Sequence, residues 1–140
     1  MLLQGKHGVV YGVANKRSIA AACAKSASAA GAKLILTYQN ERLREGTERI
    51  AASLPNEAVA LECDVGDAES MARAHAQIGE HFGGVVDFGV HSIAFADRAE
   101  LEGRFVDTSR EGWCRALDIS AWSMLAVAKE LEPFMTAGGS

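Results

Sequence analysis

Along this chain, short apolar runs alternate with longer stretches in which apolar residues recur every third or fourth position. A continuous apolar run suits a strand buried on both faces of a parallel sheet. The three-to-four spacing suits a helix with one covered face. Val9-Val10-Tyr11 predicts a strand over Gly8 to Gly12. The alanine-rich stretch from Ser18 to Ala30 reads as a helix that packs closely on a sheet, with Gly31 as its C-terminal cap. Lys33 to Tyr38 is a second strand. Asn40 to Ser53 is a second helix, with Leu43, Thr47, Ile50 and Leu54 on one face and Pro55-Asn56 as the break. Ala58 to Cys63 is a third strand, and Asp67 to Phe82 a third helix with Met71, Ala74, Ile78 and Phe82 inward. Gly83-Gly84 stops it, and Val85 to His91 is the fourth strand.

The stretch from Ala94 to Asp107 lacks either pattern and reads as a loop. Thr108 then opens a long helix, with Glu111 three residues on as a capping box. Its apolar stripe is Trp113, Leu117, Met124, Ala128 and Leu131, and Pro133 lies near its end. Strand and helix thus alternate four times. That pattern predicts an α/β fold, a doubly wound parallel sheet of about four strands with helices on both faces. Right-handed crossovers give the strand order 3-2-1-4. In such a sheet the ligand crevice lies at the carboxyl ends of the strands. Those ends are Gly12, Tyr38-Gln39, Asp64-Val65 and His91-Ser92.

Composition narrows the function classes. With 140 residues, 49% of them hydrophobic, the chain is long enough for one domain with its own core. The net charge is −4, with no basic cluster of the kind that nucleic acid or an anionic membrane surface demands. No apolar run reaches the length of a membrane span, and MLLQGKHG has no extended apolar segment typical of a secretory signal. Cys23, Cys63 and Cys114 are odd in number and far apart, which points to a reducing cytoplasm and to cysteines used as small core residues. His7, His75 and His81 read as surface residues, and no spacing supports a metal site. His91 has no carboxylate beside it in the sequence and reads as a packed, hydrogen-bonded histidine rather than a base. Arg42, Arg44 and Arg49 read as a solvated helix face.

The first strand-to-helix turn carries the most chemistry. Gly12 lets the backbone approach a ligand, and the helix that opens at Ser18 presents unpaired N–H groups that attract phosphate. The turn lacks the G-x-G-x-x-G spacing of many dinucleotide sites, and an ordinary strand-to-helix turn stays open on this stretch alone. Asp64 at its strand end reads either as a ligand contact or as a residue flanking the next helix.

Taken together, GVANKRSIA (Gly12 to Ala20), TYQNERL (Thr37 to Leu43), CDV (Cys63 to Val65), HSIAFA (His91 to Ala96) and DIS (Asp118 to Ser120) resemble the NADH-dependent enoyl-acyl-carrier-protein reductases of bacterial type II fatty-acid synthesis. These are divergent short-chain dehydrogenase/reductases with a Rossmann-like, NAD-binding fold. The resemblance implies a single NAD-binding domain over residues 1–140, corresponding to the first half of such an enzyme. It implies that Gly12, Ser18 and Ile19 surround the cofactor phosphates and the adjoining ribose, and that Gln39 sits by the adenosine ribose. Asp64 and Val65 would hold the adenine, Ile93 would lie over the cofactor, Ser92 would belong to its wall, and Ala96 would touch the acyl substrate. The implied cofactor is NAD as NADH, and the implied partner is an enoyl thioester on acyl carrier protein, handled by a homo-oligomer.

Tyr11 and Ala94 differ from residues common in the family, threonine and glycine, and neither change removes a ligand-binding group. A larger departure concerns catalysis. The family pairs a tyrosine with a lysine seven residues on, whereas Ser18 and Glu45 follow Tyr11 and Tyr38 at that spacing. No catalytic residue is therefore assigned in this chain, which reads as ending before that segment. Two other readings remain. One is a non-catalytic nucleotide-binding fragment. The other is a short-chain dehydrogenase of a different specificity, against which HSIAFA speaks.

Overall fold

Val9, Val10 and Tyr11 have no exposed surface, and the strand they form, β1 (His7–Tyr11), lies inside the sheet. The computed structural model describes residues 1–140. The other elements are α1 (Ile19–Ala29), β2 (Lys33–Tyr38), α2 (Glu41–Ala52), β3 (Ala58–Glu62), α3 (Ala68–His81), β4 (Phe88–His91), α4 (Arg110–Leu117) and α5 (Ser123–Leu131). The four strands are parallel, in the order β3-β2-β1-β4 that the alternating pattern predicts. Val9 pairs with Ile35 of β2 on one side and with Gly89 of β4 on the other.

Successive residues of a strand point to opposite faces, so the continuous apolar runs of β1 and β2 feed two cores at once. Val9, Tyr11 and Ile35 join Met71, Ala74 and Ile78 of α3 and Val127 and Leu131 of α5 on one face. Val10, Leu34 and Leu36 join Ala20 and Ala24 of α1 and Ala51 of α2 on the other. Complete burial of Leu34, Ile35 and Leu36 contributes roughly 1.5–3 kcal/mol each. The residues of β4 are only half-buried, as befits an edge strand. Gly8 of β1 makes room for the Phe88 ring of β4, because a Cβ there would fall inside that ring.

Several sequence expectations need correction. The fourth strand begins at Phe88 rather than Val85, because Val86 is engaged in a single parallel bridge with Met135 before the chain joins β1. The long helix is not one α-helix, since Asp118–Trp122 winds as a wider π turn between α4 and α5. Its cap is Ser109, whose hydroxyl accepts from the Gly112 N–H, while the Thr108 hydroxyl turns back to Phe105 O. The apolar stripe assigned to it is mostly exposed: Trp113, Leu117 and Met124 face outward, and only Leu131 is buried. The covered face runs instead through Gly112, Ser123, Val127 and Leu131. The 94–107 stretch contains two short 3-10 turns, Arg98–Leu101 and Phe105–Asp107. His75 is buried, not a surface residue, because Tyr11 Oη and Met71 O satisfy both ring nitrogens. Of the cysteines only Cys63 is a core residue; Cys23 is partly covered and Cys114 is exposed.

Candidate functional site

The chain leaves each strand of a parallel sheet at the same end, so the segments after β1, β2, β3 and β4 converge. They enclose a cavity of about 460 Å³. Gly12, Gln39, Asp64, Val65 and Ile93 all line it, so five of the eight residues singled out in the sequence meet in one crevice. Ser18, Ile19 and Ala96 do not line it.

Gly12 has φ +86°, a left-handed conformation that favours glycine, and a Cβ there would collide with the Ser92 carbonyl. The turn after β1 is pinned to β2. The Gly12 N–H donates to Thr37 Oγ1 at 3.3 Å, and the Val13 N–H donates to Thr37 O at 2.8 Å. Beyond it, Ser18 caps α1. Its oxygen accepts from the Ala21 N–H at 3.2 Å, and its own proton goes to Asn15 O at 2.7 Å. The Ser18 hydroxyl is thus spent inside the protein as a cap. Ile19 is largely exposed, and its N–H finds no acceptor in the chain, as the geometry of a first helical turn dictates.

On the far side of the crevice, Gln39 Nε2 donates to Asp64 Oδ2 at 3.4 Å. The second Asp64 oxygen accepts from the Gly66 N–H at 2.9 Å, an Asx-type turn that fixes the carboxylate at the strand end. The helix that follows is capped by Asp67 instead, which accepts from the Glu69 and Ser70 N–H groups. Asp64 is therefore not that cap. Burial, helped by the neighbouring Asp64 charge, pushes the Cys63 thiol up to about 12, so this cysteine lines the crevice as an unreactive thiol.

The wall formed after β4 is tied to the π turn. Ser120 Oγ accepts from the Phe95 N–H at 3.0 Å and donates to Phe95 O at 3.2 Å. His91 Nε2 lies 2.8 Å from Ser123 Oγ, whose proton goes to Ile119 O. The serine therefore accepts from the ring, and burial holds the His91 imidazole below the usual histidine range. No carboxylate contacts it, in keeping with the packed, hydrogen-bonded role read from the sequence. Arg115 reaches Asp97 at 3.3 Å and, with Asp118 and Ile119, forms the outer wall of the crevice.

Sequence reasoning missed Leu43, Arg115 and Ile119 as crevice residues. Leu43 had the signal of a helical stripe at the start of α2, next to a strand end. Ile119 stood in the DIS motif without a role assigned to it, and Arg115 gave no signal, since a segment distant in sequence brings both there. A second cavity, of about 540 Å³, lies between Gly89, His91 and the Met124–Leu131 side of α5. It is larger, but it touches neither the Gly12 turn nor the ends of β2 and β3.

The family described as enoyl-(acyl carrier protein) reductase matches residues 12–140. The NADH-dependent enoyl-acyl-carrier-protein reductase FabI of Bacillus cereus is 48% identical over 141 residues, which cover 99% of this chain and 54% of that protein. FabI of Staphylococcus aureus, named as an NADPH enzyme, is 44% identical over 139 residues, with the same two shares. The crystal structure of the Anaplasma phagocytophilum reductase in complex with NAD superposes with a TM-score of 0.89 at 40% identity, covering 96% of this chain and 50% of that one. The chain spans about half the length of the curated relatives it matches.

Proposed function

Because the chain belongs to the enoyl-(acyl carrier protein) reductase family, we propose that it is the cofactor-binding half of such an enzyme and holds NADH in the crevice at its strand ends. One observation carries this reading: Gly12, Gln39, Asp64, Val65 and Ile93 line a single cavity although 81 positions separate the first from the last. The bound nicotinamide would supply the hydride that reduces a trans-2-enoyl thioester carried on acyl carrier protein. The chain's own residues bind and orient. Gly12 lets the chain turn out of β1 tight against the Ser92 carbonyl at the crevice wall, and the free Ile19 N–H at the start of α1 offers the ligand's phosphates a donor. Ser18 acts there as the cap that keeps this helix end in place. Gln39 hydrogen-bonds the adenosine ribose, and Asp64 with the Val65 backbone holds the adenine. Ile93 covers the cofactor, and Ala96, three residues on, meets the acyl chain.

These residues fit the group, since the Ala14 N–H in the crevice wall and the Ile19 N–H at the start of α1 have no acceptor in the chain and are free for an anionic ligand. Residues 1–140 act as one domain of a cytoplasmic homo-oligomer, and no helix in it is long and apolar enough to cross a membrane.

A second reading concerns turnover. Neither tyrosine is followed by lysine at the family's spacing, and Tyr11 is fully buried against His75 with its phenol held far from ionising, chiefly by burial. The chain by itself is thus a nucleotide binder with little turnover. Losing a positioned proton donor typically costs about 10²–10⁴-fold. The test is NADH oxidation with a crotonyl thioester, by this chain and by a protein carried on to about the relatives' full length. Saturable NADH binding by both with fast turnover only by the longer one is the expected result. Equal turnover would overturn the placement of the catalytic pair, and no NADH binding by either would overturn the family-based reading.

A further inference from the structure

Val13 is fully buried, and its carbonyl finds only one partner in the chain, the hydroxyl of Thr47 at 3.1 Å. Thr47 lies on α2, 34 positions away, and is itself 1% exposed. Its one hydroxyl proton is shared with Leu43 O at 3.0 Å, the carbonyl one helical turn back. Leu43 O is served by the helix ladder in any case. Val13 O has no such substitute, and an unpaired buried carbonyl costs about 1–3 kcal/mol.

The peptide that joins Val13 to Ala14 is planar and trans, so its C=O and N–H point in opposite directions. With the carbonyl turned inward to Thr47, the Ala14 N–H must point away from α2. Ala14 is exposed and lines the crevice, and its N–H has no acceptor in the chain. The other side of the same turn is fixed by Thr37, which takes the Gly12 and Val13 N–H groups. Ala14 is thus the first residue after β1 whose donor is left free toward the crevice.

We propose that Thr47 is a positioning residue for phosphate recognition: its hydroxyl locks the Val13–Ala14 peptide so that the Ala14 N–H faces an anionic oxygen of the bound dinucleotide. This rests on the cofactor reading above. Thr47 touches no ligand and acts only through the peptide plane that it holds.

The test compares Thr47→Val, which keeps shape and burial but removes the hydroxyl, with Thr47→Ser, which keeps the hydroxyl. Each chain is titrated with NADH, ADP and adenosine, and the Ala14 amide is followed by NMR. In Thr47→Val, NADH and ADP should bind about tenfold more weakly, the worth of one misdirected hydrogen bond to a charged group. Adenosine, which has no phosphate, should bind as before. Thr47→Ser should match the unsubstituted chain. The Ala14 amide should move downfield on ADP addition in the unsubstituted chain and in Thr47→Ser, and not in Thr47→Val. Unchanged ADP binding by Thr47→Val would overturn the inference, and so would an equal loss for adenosine, since that is general loosening of α2. If the unsubstituted chain bound neither NADH nor ADP, the cofactor reading itself would fall, and this inference with it.

Discussion

Tyr11 Oη donates to Nε2 of His75 across 2.8 Å, inside the core between β1 and α3. The direction is fixed by the other ring nitrogen, which donates to Met71 O at 2.8 Å, so the imidazole is neutral with its Nε2 lone pair free to accept. Burial, only partly opposed by the Met71 carbonyl and the Glu130 charge, holds the His75 pKa below its ordinary value. Below about pH 6.5 the unfolded chain takes up a proton that the folded one refuses, so stability is full above that pH and falls as pH drops through it. His91 is displaced in the same direction by burial and adds to the slope. Urea melts of the unsubstituted chain should lose midpoint between about pH 7.5 and 5.5, and His75→Gln should show a shallower loss. Tyr11→Phe strands the His75 acceptor and should cost about 1–3 kcal/mol at neutral pH.

Gly12 combines a positive φ with a backbone carbonyl where its side chain would go. Gly12→Ala should therefore be doubly penalised, by about 1–2 kcal/mol of left-handed strain and by displacement of the Ser92 wall. NADH titration should show binding reduced beyond detection while the far-ultraviolet circular dichroism stays native. Undiminished NADH binding would mean that the cofactor does not approach this turn.

Cofactor choice should favour NADH over NADPH. No lysine or arginine stands at Gln39 or Asn40, and Arg44 is held by Glu48 at 2.8 Å and by Glu41 at 3.6 Å. Arg42 is exposed and makes no ion pair, and a surface pair returns only about 0–1 kcal/mol. The related Staphylococcus aureus enzyme, named for NADPH, makes this a sharp comparison. Competitive titration of the two cofactors should give tighter NADH binding, and Gln39→Arg should narrow the gap. Equal binding by the unsubstituted chain would refute the preference.

Trp113 and Leu117 of α4, Trp122 of the π turn and Met124 and Leu125 of α5 are all exposed, Trp122 to 61%. So many large apolar side chains exposed along one segment favour association. Light scattering over a concentration series should give a mass above the monomer, and Trp122→Glu with Leu125→Glu should return it to the monomer. A monomer at every concentration would remove the basis for the proposed homo-oligomer.

The sheet was legible because burial on both faces leaves a continuous apolar run, as in Leu34, Ile35 and Leu36, and no other element has that pattern so cleanly. The crevice was legible as far as it is made of strand ends, and Asp64 shows why: its place depends on where β3 stops. The long helix was misread because aromatic and aliphatic spacing reports an apolar face without saying what covers it. Trp113 and Leu117 obey the helical period and still face out. His75 was misread as a polar surface residue although it stands four residues after Met71 on the covered face of α3; what lets it stay there is Tyr11, a partner 64 positions away.

Gly8 and Phe88 pair directly across β1 and β4, and the ring lies where any side chain at position 8 would have to stand. The two positions therefore constrain the order in which this lineage can change. An alanine at 8 is tolerable only after 88 has become smaller, and a smaller residue at 88 opens a hole that only a larger residue at 8 refills. Drift at this pair must pass through a less stable intermediate in either direction, so glycine and phenylalanine should be lost together or kept together.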